Sequence, residues 1–85
     1  MLSKNQLKLI QKLQQKKYRN ELNLFIVEGK KSIVEFLQAG YRLELLIATE
    51  VFAEALSNHP ITLVSKEELR KVSALKNPDE GLAIF

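Results

Sequence analysis

Eighty-five residues, 46% hydrophobic and 27% charged, suffice for one small folded domain and are too apolar for a disordered chain. There is no cysteine, which excludes a disulfide framework, a thiolate metal site and a thiol nucleophile. The formal charge of +3 is uneven, because residues 1–31 carry eight Lys/Arg against two acids, a net +6, while the remainder carry five against eight, a net −3.

A basic N-terminal end asks for an anionic partner. No run is long enough to span a bilayer, and Met1 to Gln6 lacks the apolar core of a signal peptide. A cytoplasmic location without a membrane partner is therefore expected.

Ser3 with Gln6 matches a capping box and opens a helix. Leu9, Ile10 and Leu13 recur on one face of it, with Leu2 leading in. Lys4, Lys8, Lys12 and Lys16 follow at i, i+4 steps on the other side. A solvated helix face is the ordinary explanation of such a stripe. Two costs argue against it. The macrodipole disfavours Lys4 in the first turn, and each like-charge pair costs about 0.2–0.5 kcal/mol, with no interleaved glutamate to offset it. A helix that gives up stability for a lysine row is expected to face phosphate.

Lys16 to Asn23 reads as a polar turn. Leu24 to Val27 is a short apolar run, expected as a strand buried on both faces. Gly29 breaks it, and Lys30 to Ala39 reads as a helix with Gly40 at C′. Leu43 to Ala48 is the second strand, followed by a short helix, Glu50 to Leu56, capped by Thr49. Asn58-His59-Pro60 is a turn, Ile61 to Val64 a third strand, and Ser65 with Glu68 a second capping box opening a helix through Leu69 and Val72. Asn77 to Gly81 reads as a loop and Leu82 to Phe85 as a fourth strand. Strands alternating with helices predict an α/β fold with a mostly parallel sheet of about four strands, covered on both faces. An apolar strand at the very end predicts that the natural chain continues past Phe85.

The inventory for catalysis is poor. His59 lies in a predicted turn, where a surface role outranks acid–base chemistry. No spacing of His, Cys or carboxylates suits a metal, and Gly29 is solitary, so no P-loop or dinucleotide fingerprint can be drawn. No catalytic or metal-binding residue is expected in this chain.

The inventory for binding is better. Lys17, Arg19, Lys30 and Lys31 bracket the first strand. Tyr18 stands between bases and is either a platform for a nucleobase or a core-edge aromatic. Gly29 would let a backbone approach a phosphate, and the N–H groups opening the next helix would form an anion site. Glu28 is expected as a cap or a salt-bridge partner of one of these bases. An RNP aromatic pair and a GxxG clamp are missing, which disfavours the RRM and KH classes.

Ser3-Lys4-Asn5-Gln6, the basic helix, Lys17-Tyr18-Arg19, Phe25-Ile26-Val27-Glu28-Gly29-Lys30 and the helix ending at Gly40 resemble the N-terminal substrate-binding domain of the SpoU/TrmH-family RNA methyltransferases of the SPOUT superfamily. Val64-Ser65, Val72-Ser73 and the Pro78 to Gly81 loop agree, and the resemblance covers nearly the whole chain. Asp79-Glu80 departs from it, since the family more often has an uncharged residue before the glycine.

The resemblance implies an α/β/α sandwich similar to kink-turn-binding ribosomal proteins, preceded by the basic helix. It implies one RNA substrate-binding domain over residues 1–85, a fragment of a longer protein. The following knotted domain, outside this sequence, would bind S-adenosylmethionine, form a homodimer and methylate a ribose 2′-hydroxyl. The fragment by itself is expected to be monomeric. The RNA-binding residues expected here are Lys4, Lys8, Lys12, Lys16, Lys17, Tyr18, Arg19, Gly29, Lys30 and Lys31, with rRNA favoured over tRNA. A free-standing kink-turn-type RNA-binding protein is the alternative, and a protein-interaction module with an acidic partner is a third.

Overall fold

A computed structural model of the chain describes residues 2–56, 58–74 and 80–85. The elements in order are α1 (Lys4–Lys12), α2 (Lys16–Leu22), β1 (Ile26–Glu28), α3 (Lys30–Gln38), β2 (Leu45–Ala48), α4 (Glu50–Ala55), β3 (Thr62–Leu63), α5 (Lys66–Val72) and β4 (Gly81–Ile84). The expected strands and helices are present within a few residues of their predicted bounds. One element differs in kind: Lys16 to Asn23, expected as a turn, contains α2. Its apolar content is too low for a periodic signal. It ends on Asn23 in the left-handed region at φ 55°, where a short polar side chain is tolerated. Most of the expected Asn77–Gly81 loop lies outside the described residues.

The sheet order is β1-β4-β2-β3, and it is mixed rather than mostly parallel. β2 and β3 pair parallel, but β4 runs antiparallel to both β1 and β2. The path of α5 explains this. Ser73 and Ala74 at its end donate to the Glu28 carboxylate at the end of β1, so α5 leads across the sheet and not back along it. The Gly29 N–H then meets the Gly81 carbonyl at 3.4 Å and the Thr49 N–H meets the Glu80 carbonyl at 3.0 Å. β4 therefore enters at the edge where β1 and β2 leave, and must run against both.

Alternation along the strands divides the core into two layers. Ile47, Leu82 and Ile84 join Ile10, Leu13, Leu69 and Val72 beneath α1 and α5. Leu46, Ala48, Ala83 and Phe85 join Ile33, Phe52 and Leu56 beneath α3 and α4. This is the α/β/α sandwich the resemblance implied. β4 is buried throughout, while β1 lies at the sheet's edge.

Gly81 is dictated by Phe52. A Cβ at residue 81 would lie 2.6 Å from the Phe52 ring and 2.9 Å from the Ile47 carbonyl oxygen. Gly81→Ala is thus an overpacking change, expected to cost about 1–3 kcal/mol in a urea melt.

Both capping boxes form, at Ser3/Gln6 and Ser65/Glu68. The Thr49 side chain, by contrast, does not cap α4; its hydroxyl turns to the Glu80 carboxylate instead. Glu68 does more than cap. Its carboxylate accepts from the Leu2 N–H at 3.0 Å and the Ser65 N–H at 3.1 Å, tying the start of α1 to the start of α5. These two backbone donors, Leu2 first, hold its pKa below the usual carboxylate range. A carboxyl lowered on folding adds stability that is complete above its unfolded pKa and lost as pH falls through its folded one. Urea midpoints taken from pH 7 downward should therefore drop more steeply for the native chain than for Glu68→Gln, with the difference confined to acid pH.

Candidate nucleic-acid interface

Three groups of residues carry the basic charge, and the fold positions each differently. Lys4, Lys8 and Lys12 stand exposed along α1, opposite Ile10 and the adjoining Leu13, which are buried. The lysine row is not one helix face throughout. α1 stops at Lys12 with Leu13 as its C-cap, and Lys16 opens α2. From Lys4 to Lys12 the row spans roughly 12 Å of helix axis, from the first turn of α5 toward its last, where Gln14 Nε2 donates to the Val72 carbonyl.

The second group is the elbow between α1 and α2. Half-buried Arg19 sends Nη1 to the Leu13 carbonyl at 3.0 Å, satisfying an orphan acceptor at the end of α1 and fixing the bend. The ammonium groups of Lys12 and Lys17 lie 5.7 and 5.5 Å from the Tyr18 ring centroid. Both are exposed, and a cation–π contact at such a site contributes about 0.5–1 kcal/mol. Half-buried Tyr18 thus gathers two cations from different helices. Sequence reasoning missed this juxtaposition because it depends on the elbow.

The third group begins α3. Gly29 is its N-cap at φ 97°, a backbone that favours glycine. Its N–H is directed to the Gly81 carbonyl. The role of Gly29 visible here is therefore conformational. Lys30 and Lys31 follow as exposed first-turn residues. Glu28 departs from its expected role as well. It does not cap α3 and, among the described residues, pairs with no base; its oxygens accept from the Ser73 hydroxyl and, at 2.8 Å, from the Ala74 N–H.

Helix polarity sharpens the division of charge. None of α1, α2 and α3 has an acid in its first turn, whereas α4 has Glu50 and α5 has Glu67 and Glu68. The lysines that open α1, α2 and α3 oppose the macrodipole with no acid beside them, each at roughly 0.3–1 kcal/mol, whereas Lys66 of α5 is followed by Glu67 and Glu68. That cost is offset when an anion is bound. Among the described residues, no group of three His, Cys, Asp or Glu side chains converges to hold a metal, and no helix is long and apolar enough to cross a membrane. His59 lies half-buried in its turn.

This frame matches a known domain family. The family model described as MRM3-like substrate binding domain matches residues 4–83. The chain belongs to that family. The MRM3-like domain is also similar in structure to parts of longer enzymes. A protein from Porphyromonas gingivalis assigned to the TrmH family of RNA methyltransferases is 30% identical with a TM-score of 0.87, over 100% of this chain and 35% of that one. An RNA 2′-O ribose methyltransferase is 27% identical with a TM-score of 0.75, over 96% of this chain and 34% of that one. An AdoMet-bound rRNA methyltransferase from Sinorhizobium meliloti is 25% identical with a TM-score of 0.76, over 100% and 35% respectively. The MRM3-like domain thus spans about a third of each of these chains. Among curated protein sequences none matches it.

Proposed function

We propose that this domain is the RNA-recognition part of a longer, S-adenosylmethionine-dependent 2′-O-ribose methyltransferase acting on rRNA rather than tRNA. The observation that carries the reading is the exposed basic row of α1 and α2 on a domain of the MRM3-like substrate-binding family. Lys4, Lys8, Lys12, Lys16 and Lys17 hold phosphates along one side, with Lys30 and Lys31 at the start of α3. Phosphate contacts set register and orientation, so the grip presents a ribose 2′-hydroxyl to a catalytic domain elsewhere in the protein.

The cofactor supplies the methyl group when bound. Gly29, Gly40 and Gly81 are dispersed and Gly29 has its N–H engaged, so no residue here is assigned to hold the cofactor. The longer protein is read as a cytoplasmic homodimer that pairs through its catalytic domain, with this part monomeric by itself. Family membership favours this reading over a free-standing kink-turn-type protein.

The test uses the whole protein that contains the chain. Incubated with methyl-labelled S-adenosylmethionine, it should label rRNA transcripts and leave tRNA unlabelled, with the label on ribose by nucleoside mass spectrometry. Removing residues 1–85 should abolish labelling of rRNA. Labelling of tRNA alone, or undiminished labelling without the domain, would overturn the assignment.

A further inference from the structure

A groove of about 460 Å³ runs between the α1–α2 elbow and β1, lined by Leu13, Gln14, Arg19, Phe25, Ile26 and Glu28. Its volume falls within the range of small-molecule sites, and its make-up of apolar walls with a few polar groups is typical of them. Opposite charges line it, yet no ion pair joins Arg19 to Glu28. Each is held by another group. Arg19 gives one N–H to the Leu13 carbonyl, and Glu28 accepts from Ser73 and Ala74. Each also keeps capacity. A guanidinium has five donors, and a carboxylate about four acceptor sites. A donor and an acceptor are thus fixed in one groove with room between them.

We propose that this groove takes an unpaired guanine base of the bound RNA, with Glu28 accepting from its N1–H and 2-amino group and Arg19 donating to O6 or N7. The inference rests on the RNA-recognition reading above and names the nucleotide the grip would select. Guanine is the base that offers two adjacent donors on one edge and two acceptors on the next. Adenine and cytosine present a single exocyclic amine to a carboxylate, and uracil a single imino N–H. Arginine bidentate to O6 and N7 is the commonest specific contact to guanine. Sequence-specific RNA recognition targets bases outside duplexes, whose edges are free. Lys16 and Lys17, exposed on α2 beside the elbow, would hold the flanking phosphates. Half-buried Ile26, two residues before Glu28 and so on the same face of the strand, would cover the base.

The experiment measures binding of the 85-residue chain to RNA hairpins that differ at one unpaired loop position: guanine, inosine or adenine. All carry the same phosphates, so the electrostatic contribution is constant. Guanine should bind about ten- to hundredfold more tightly than adenine. Inosine, which lacks the 2-amino group, should fall between. Glu28→Gln keeps one oxygen to accept from the Ala74 N–H, and its amide can donate to the Ser73 hydroxyl; it no longer offers a carboxylate to the base, and should erase the guanine preference with the salt dependence unchanged. If that variant does not fold, the inosine comparison on the native chain carries the test. Equal binding of all three hairpins with normal salt dependence would overturn the guanine site and leave the RNA-recognition reading intact. Absence of salt-dependent binding to any of them would overturn both.

Discussion

Replacing Lys8, Lys12 and Lys17 together with glutamate is expected to lower affinity for structured rRNA at least a hundredfold at moderate salt, an order-of-magnitude figure for losing several phosphate contacts. All three side chains are exposed, and each replacement exchanges a positive for a negative charge, turning the formal +3 into −3. Neutralising a phosphate releases a counterion, so log affinity falls against log salt with a slope of about −0.7 to −0.9 per contact. Losing three contacts should flatten that slope by roughly 2–3. The slope is the more telling readout. A change that merely loosened the fold would lower affinity without altering the number of ions released. Folding should shift by no more than about 2 kcal/mol, the scale of two exposed cation–π contacts, since Lys12 and Lys17 both touch Tyr18. An unchanged slope in a salt titration would remove these lysines from the interface.

Phe52→Ala should be the most damaging single change to the fold. The ring is completely buried beneath α4, in the cluster with Ile33, Leu46 and Ala83. Truncating a buried phenylalanine costs about 3–5 kcal/mol, a large share of the 5–15 kcal/mol typical of a whole domain. A urea melt should show a lower midpoint with an unchanged slope. Because the same ring forbids a side chain at residue 81, the two sites are coupled. Gly81→Ala should cost clearly less in the Phe52→Ala background than alone. It should not become free, because the Ile47 carbonyl remains 2.9 Å from the added Cβ. Strict additivity in this double-mutant cycle would show that the backbone moves instead.

Much of this molecule is decided by short-range chemistry and is therefore legible in the chain. The capping boxes at Ser3/Gln6 and Ser65/Glu68 each link residues three apart, and the short apolar runs place β1, β2 and β4 without reference to distant residues. The glycine that ends β1 and the one after α3 are marked by the positive φ their positions need, 97° and 86°. The uneven charge is a property of composition, and the basic helix, the motif around Phe25 to Gly29 and the family they resemble follow from the same residues.

Direction and company needed the third dimension. Hydrophobic periodicity is the same whichever way a strand runs, so β4 was expected parallel, and only the path of α5 to Glu28 shows why it must be antiparallel. α2 carries too few apolar residues to announce itself, and the break after Lys12 divides what looks like a continuous row of lysines. Arg19 turns half toward structure by holding the elbow. Glu28 finds partners 45 and 46 residues away, a distance over which sequence pattern carries no information. The charge that calls for an anion is written in the chain. Where a base would meet it is decided by tertiary packing, because Arg19 and Glu28 share a groove only once α2 has folded back beside β1.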